Sequence, residues 1–300
     1  MMTELGIDIP VSTRLALKTR AHGVELSTHL QEHIIGRLRR SYADVFSMDR
    51  PERLWGPPVI SAESMRRTGY GRSFPQLLGT VHTDLEEREL PGERTGDLAG
   101  PESAAGTQEL MLVASACHHV YPLFQGKEIT KAASVMVEGR CFRNDSPNET
   151  GRLRSFRQFE VVHVAAPPQC AHWREDSLTR VEKWLSDLGI QVSKEVANDP
   201  FFGRGSSLMR SVQRKQLLKW EFRADLGDGV KAIGSSNYHK NHFSEAFEFR
   251  GPSGAELHTA CIGFGLERLV LALVHAHGGN LDSWPEAAGG GSGPTYAGAE

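Results

Sequence analysis

Residues 259–274, TACIGFGLERLVLALV, place two glycines and a Glu-Arg pair at the entry of an apolar helix. The strand-like ELHTACIGF runs directly into it, so the stretch reads as a strand turning into a helix. Arg268 falls in the first helical turn, where the macrodipole favours acids. One reading is an ordinary turn with a solvated arginine; the other is that an anion sits there. Gly263 and Gly265 would let the backbone approach closely, and the helix start would offer free N–H groups. With the full charge of Arg268, the arrangement suits the far end of a triphosphate. Glu267 either pairs with Arg268 or serves as a favourable first-turn acid. The glycine spacing is not G-x-G-x-x-G and no strand–helix–strand unit surrounds it, so a Rossmann site is the weaker reading.

Upstream, VMVEGRCF (135–142) and SFRQFEVVHV (155–164) read as an antiparallel pair around the polar loop RNDSPNETGRLR. Arg143 ends the first strand, Asp145 follows, the loop supplies Arg152 and Arg154, and Arg157 and Glu160 lie on the return. Converging guanidinium forks match phosphate oxygens; a solvated basic hairpin is the plain alternative.

The chain has 300 residues and a formal net charge of −3, which argues against a general nucleic-acid binder but leaves nucleotide substrates open. The N-terminus MMTELGIDIPVSTRL carries no apolar core of a signal peptide, and no apolar run is long enough for a membrane span. A cytoplasmic location and no membrane partner are expected. Cys117, Cys141, Cys170 and Cys261 are widely spaced, so reduced thiols are expected rather than a disulfide framework. Each is either a small buried hydrophobe, a metal ligand or a nucleophile.

The spacing predicts a helix in STHLQEHIIGRLRRSYADVF, with Thr28 and Gln31 as a capping box and Leu30, Ile34, Leu38 and Tyr42 in a stripe. REDSLTRVEKWLSDLG predicts another, with Val181, Trp184, Leu185 and Leu188 on one face and Gly189 closing it. LLKWEF, EAFEF and ELHTACIGF add strands in the second half. Strands in a row with inserted helices indicate an α+β fold with a mainly antiparallel sheet.

CFRND…RLRSFRQFE resembles motif 2 of class II aminoacyl-tRNA synthetases, and GFGLERL resembles motif 3. GPPVISAESMRRTGYGRSFPQLLG resembles the segment around motif 1 of seryl enzymes, with Pro57 or Pro58 as the interface proline. SACHHVYPLFQGK, SFRQFE and HTACIGFG are most similar to the amino acid:[carrier protein] ligases, truncated relatives of the atypical, zinc-dependent seryl-tRNA synthetases. The similarity covers roughly residues 25–280. It implies the class II catalytic fold over 25–285, an N-terminal segment (1–24) of unassigned role, and a flexible Gly/Ser/Ala-rich tail (286–300).

The resemblance also implies one zinc per subunit on Cys117, Glu160 and Cys261. Two thiolates and a carboxylate leave a fourth tetrahedral position open, expected to take the amino group of the substrate. His118 and His119 adjoin Cys117 but would point to opposite faces of a strand; Cys141 and Cys170 are expected in the core. For ATP, Arg143 would hold the α-phosphate and Arg268 the γ-phosphate, and these two are the expected catalytic residues. Asp145 stands where the family has a glutamate near the adenine, Arg152 and Leu153 would flank that base, and Lys219 and the turn Gly234, Ser235, Ser236, Asn237 would face nucleotide and substrate. Glu160 and Asn237 are the expected amino-acid contacts. Mg²⁺ would accompany ATP, although Lys231 stands where seryl enzymes carry a glutamate and no ligand is assigned.

The reaction implied is ATP-dependent activation of a small amino acid, glycine or alanine, to an aminoacyl-adenylate, then transfer to the phosphopantetheine thiol of a carrier protein. A homodimer is implied by motif 1, and no tRNA partner is expected. The alternatives are a minimal seryl-type aminoacyl-tRNA synthetase and a non-catalytic amino-acid- or adenylate-binding paralogue.

Overall fold

A computed structural model describes residues 15–81, 109–145, 149–198, 211, 216–281 and 284–286. A short hairpin, β1 (Ala16–Lys18) and β2 (Glu25–Ser27), leads into α1 (His29–Val45). The Thr28 hydroxyl accepts a hydrogen bond from the Gln31 amide at 3.3 Å, the cap that the spacing predicts. β3 (Glu52–Gly56), β4 (Val59–Ser61), α2 (Ala62–Arg67), α3 (Tyr70–Ser73) and β5 (Leu110–Leu112) follow. Then come the long pair β6 (Ala133–Phe142) and β7 (Ser155–Ala165), α4 (Pro167–Asp187) and β8 (Ser193–Val196). The chain continues through β9 (Lys219–Asp225), β10 (Val230–Lys240), α5 (His242–Ala246), β11 (His258–Gly265) and α6 (Leu266–His277).

One seven-stranded sheet organises these elements, in the order β3-β6-β7-β11-β10-β9-β8. Only the β3–β6 pairing in it is parallel, so the sheet is mainly antiparallel, as expected. Alternation along each strand divides its residues between two faces. Phe159, Val161, Ile262, Phe264 and Phe222 point toward α1, α4 and α6 and form the larger core. Tyr42 sits at its centre, with Phe159, Phe264 and Trp184 rings within 5.0–5.5 Å and its hydroxyl donating to the Ile262 carbonyl at 3.0 Å. Val135, Val137, Val162 and Cys261 point the other way, under a second cluster that includes Tyr121, Phe243, Phe247 and Phe249. That second layer covers part of its face and leaves the rest open as a cavity.

Four expectations change. The strand expected at EAFEF is instead the end of α5 and a turn: Phe243 and Phe247 are one helical turn apart and both buried, so the four-residue apolar spacing wins over alternation. The helix expected from Arg174 begins at Pro167, because two prolines suit its first turn and Cys170 and Trp173 extend its buried stripe. Residues 116–119 form a 3₁₀ turn rather than a strand. Finally, the segment 1–24 is not separate throughout. Leu15 is buried in the larger core, and the Gly23 carbonyl accepts from the amides of Arg154 and Ser155 at the base of the arginine loop. Glu286 is the only residue of the 286–300 tail among those described. No helix among the described residues is long and apolar enough to cross a membrane.

Candidate active site

The open half of the sheet forms the floor of a cavity of about 1440 Å³. Cross-strand register sets residues in rows on this floor. Glu160, Gly263, Ser235 and Glu221 are successive partners across β7, β11, β10 and β9, and Cys261, Asn237 and Lys219 form the next row. All of them line the cavity.

At one end, Cys117, Glu160 and Cys261 bring their donor atoms within 4.8 Å of one another, all three buried. The 3₁₀ turn Ala116–His119 delivers Cys117. It is pinned from β7: the Gln158 side-chain oxygen accepts from the Ala116 amide and the Ser115 hydroxyl, and a Glu160 oxygen accepts from the Cys117 amide at 3.0 Å. Gly263 is required by this packing, since a Cβ there would stand 2.4 Å from Glu160 Cγ. Burial, with the Cys261 charge beside it, pushes the Glu160 carboxyl up to about 7. A hydrogen bond from Cys117 holds the Cys261 thiol well below its ordinary range, with His239 and Asn237 assisting. That same bond, then burial, drives Cys117 well above it. Two thiols and a carboxyl brought this close together in a buried site suit a cation, which would favour the charged form of each. Two sulfurs and a carboxylate are three of the four donors of a tetrahedral zinc site, so the residues fit the metal.

At the other end the charges come from the β6–β7 loop, β10 and the start of α6. Arg143 donates from Nε to the Ala114 carbonyl at 2.9 Å and lies over the Phe156 ring. Arg152 pairs with Asp145 at 3.1 Å and Glu149 at 3.4 Å, and Lys231 pairs with Asp228. Arg268 donates from Nε to the Gly151 carbonyl at 2.8 Å and from Nη1 to the Ala232 carbonyl at 2.6 Å, tying loop and strand to the helix entry. Burial, then Arg152 and Arg143, lowers the proton affinity of Arg268. A polyanion between these arginines would reverse that penalty.

No family model matches the sequence. Two curated ligases of Bradyrhizobium diazoefficiens, amino acid–[acyl-carrier-protein] ligases 1 and 2, are each 33% identical over 273 and 278 residues. Each alignment takes in 88% of this chain, and 82% and 81% of those proteins respectively. The chain belongs to this ligase family. It is therefore an enzyme. The type-2 serine–tRNA ligase of Methanocaldococcus jannaschii is 28% identical across 76% of this chain and 47% of its own length. Among solved structures, Methanopyrus kandleri seryl-tRNA synthetase bound to Aquifex aeolicus tRNASec superposes with TM-score 0.76 at 20% identity, covering 94% of this chain and 60% of that one. Naegleria fowleri serine–tRNA ligase with AMP gives 0.65 at 12%, covering 85% and 51%. The fold is the class II synthetase catalytic domain.

Most residues expected from sequence in this ligase line one cavity: Cys117, Arg143, Asp145, Arg152, Leu153, Glu160, Lys219, Gly234, Ser235, Asn237, Cys261 and Arg268. Ser236 does not. Residues 234–237 lie inside β10 rather than in the turn expected, paired on both sides, so strand alternation turns Ser236 to the other face, where it is fully buried. Arg157 is likewise no phosphate ligand. It is buried in an ion pair with Glu267 at 2.9 Å and reaches Glu32 at 2.6 Å. Glu267 is the first-turn acid of α6 expected as one of its two roles, but its ion-pair partner is Arg157 on β7, not its neighbour Arg268. His118 is buried and lines the cavity, held uncharged near a pKa of about 3 by burial and then by Arg143. His119 meets the Pro57 carbonyl at 2.9 Å. Cys141 and Cys170 are core residues, as expected. Ser115 and Gln158, which carry the Cys117 turn, were not singled out in the sequence; the only signal is that Gln158 stands two residues before Glu160 and so shares its face.

Proposed function

We propose that the cavity activates a small amino acid, glycine or alanine, and passes it to the phosphopantetheine thiol of a carrier protein. The observation that carries this reading is the sharing of one cavity by a buried Cys-Glu-Cys trio and an arginine cluster, in a chain of this ligase family. Cys117, Glu160 and Cys261 would hold one zinc per subunit, which would supply a Lewis-acid site for the substrate amine. Asn237, in the row beside Cys261, would contact the amino acid. The aromatic wall next to the trio, Phe243 stacked on buried Tyr121 at 3.6 Å, favours a small side chain.

Arg143 would sit at the α-phosphate and Arg268 at the γ-phosphate, with Asp145, Arg152 and Leu153 around the adenine and Lys219, Gly234 and Ser235 along the floor. Mg²⁺ would enter with ATP. The amino-acid carboxylate oxygen attacks the α-phosphorus, and the bond to the β-phosphate oxygen breaks, releasing pyrophosphate. The carrier thiol sulfur then attacks the acyl carbon of the adenylate, AMP leaves with the C–O bond pair, and the thiol proton goes to AMP or solvent. No protein nucleophile is required; placement and fixed charge lower the barrier. A homodimer is supported by the edge strand β3, where Trp55 beside Pro57 and Pro58 is 75% exposed. We assign a cytoplasmic site of action and no tRNA partner, and treat residues 25–285 with the β1–β2 hairpin as one catalytic unit.

The test is incubation with ATP, glycine or alanine and a phosphopantetheinylated carrier protein, read by mass spectrometry. A carrier heavier by one aminoacyl group supports the proposal. Charging of tRNA with an unmodified carrier would favour the minimal-synthetase alternative, and no product on either would favour a non-catalytic binder.

A further inference from the structure

β10 carries a bulge between Tyr238 and Lys240, with His239 as the extra residue against the Ala260–Thr259 step of β11. Bulges beside active sites re-aim side chains. Here two side chains of β10 reach one sulfur: Asn237 Nδ2 lies 3.6 Å and His239 Nε2 3.7 Å from Cys261 Sγ. The other ring nitrogen, Nδ1, lies 3.2 Å from the hydroxyl of Thr259, which is fully buried two residues before Cys261. Phe243 holds the ring edge-on at 4.8 Å. His239 is not among the three mutually close donors, so it stands against a ligand rather than within the ligand set.

A thiolate only accepts, so the ring nitrogen facing it must carry the proton. Nδ1 is then an acceptor, filled by the Thr259 hydroxyl. Two thiolates and a carboxylate bring three negative charges to a divalent ion. N–H donors on one sulfur withdraw density from it and leave the ion better able to accept an amine.

We infer that His239, locked by Thr259 with its proton on Nε2, is a positioning residue for the metal site, orienting the Cys261 sulfur and lowering its donor strength. This rests on Cys117, Glu160 and Cys261 being metal ligands. The test uses Co²⁺ as the probe in the full chain, reading the thiolate-to-cobalt absorption band and, by chelator competition, the affinities for Co²⁺ and Zn²⁺. His239→Phe should weaken metal binding about 10- to 100-fold, because loss of the orientation of the Cys261 sulfur outweighs its gain in donor strength, and should move the band to longer wavelength, because a sulfur lone pair without its hydrogen bond lies higher in energy. His239→Gln, which keeps an N–H donor, should restore most of both. Thr259→Val should shift the band the same way by less, with the ring and its Phe243 contact retained, and it carries the test should His239→Phe not fold. An unchanged band and affinity in Thr259→Val, or in a folded His239→Phe, would overturn the inference. A wild-type chain that takes up no Co²⁺ would overturn the metal reading beneath it.

Discussion

At the Cys-Glu-Cys end of the cavity, three buried donors arrive from a turn and two strands far apart in the chain, held by backbone amides and the close contact of Gly263 with Glu160. At the arginine end, the cations come mainly from one loop and one helix entry, and two of them, Arg152 and Lys231, are already paired with acids. The first end is preorganised, because its geometry is written into strand register and the pinned 3₁₀ turn. The second is exchangeable. Arg152 is held there by Asp145 and Glu149, ion pairs that a nucleotide base seated beside it could rearrange. Each end should therefore fail in its own way.

The largest effect should follow from Cys261→Ser or Cys117→Ser, which removes a ligand. Metal content and amino-acid activation should be lost together, the latter by more than about 100-fold. Metal retained at normal stoichiometry, by elemental analysis, would break the comparison at its base. Arg268→Ala should lower ATP–pyrophosphate exchange by about 10²- to 10³-fold while metal content and the folded circular dichroism spectrum stay as in the wild type. Parallel loss of metal would mean that the two ends are not separable. Gly263→Ala sharpens the contrast, since it replaces no ligand yet sets a methyl 2.4 Å from Glu160 Cγ. Metal affinity should fall about 10- to 100-fold, with ATP binding, measured by equilibrium dialysis, little changed.

The smallest effect lies away from both ends. Burial pushes the pKa of His163 down to about 4, where it bonds Ser134 at 2.8 Å and stacks on Trp173. The unfolded chain binds that proton near pH 6.5 and the folded one only near 4, so this group weakens stability as pH falls between those values. About 2 kcal/mol should be lost from pH 7 to pH 5 on this account. His163→Gln cannot take up the proton, so its melting temperature should fall less over that range; equal falls would refute the assignment.

How much of this was legible in the sequence follows the same division. That Arg143 and Arg268 belong at one cavity was readable because their signals are local: a basic loop between two strands, and a cation where a helix entry favours acids. Cys117, Glu160 and Cys261 have no short spacing rule. Only pairing across β7 and β11 and the 3₁₀ turn pinned by Gln158 bring them together, so family resemblance was their sole route. The Arg157–Glu267 pair was hidden for the same reason, since each residue has a nearer charge in sequence than its true partner. Ser236 fell with its neighbours in a single turn until strand alternation separated it. The β1–β2 hairpin was invisible because Leu15 and Gly23 have their partners in the core and at the arginine loop, not nearby. Thr259 and His239 became meaningful only once the bulge in β10 was seen.

The central claim is that one cavity holds an amine through a metal trio and a triphosphate through arginines so that the two react. Amino-acid-dependent ATP–pyrophosphate exchange by the zinc-loaded chain, run across the standard amino acids, tests it most directly. Exchange with glycine or alanine, weak or none with large side chains, and its loss in both Cys261→Ser and Arg268→Ala is the result predicted. Absence of exchange with every amino acid by zinc-replete protein would contradict it.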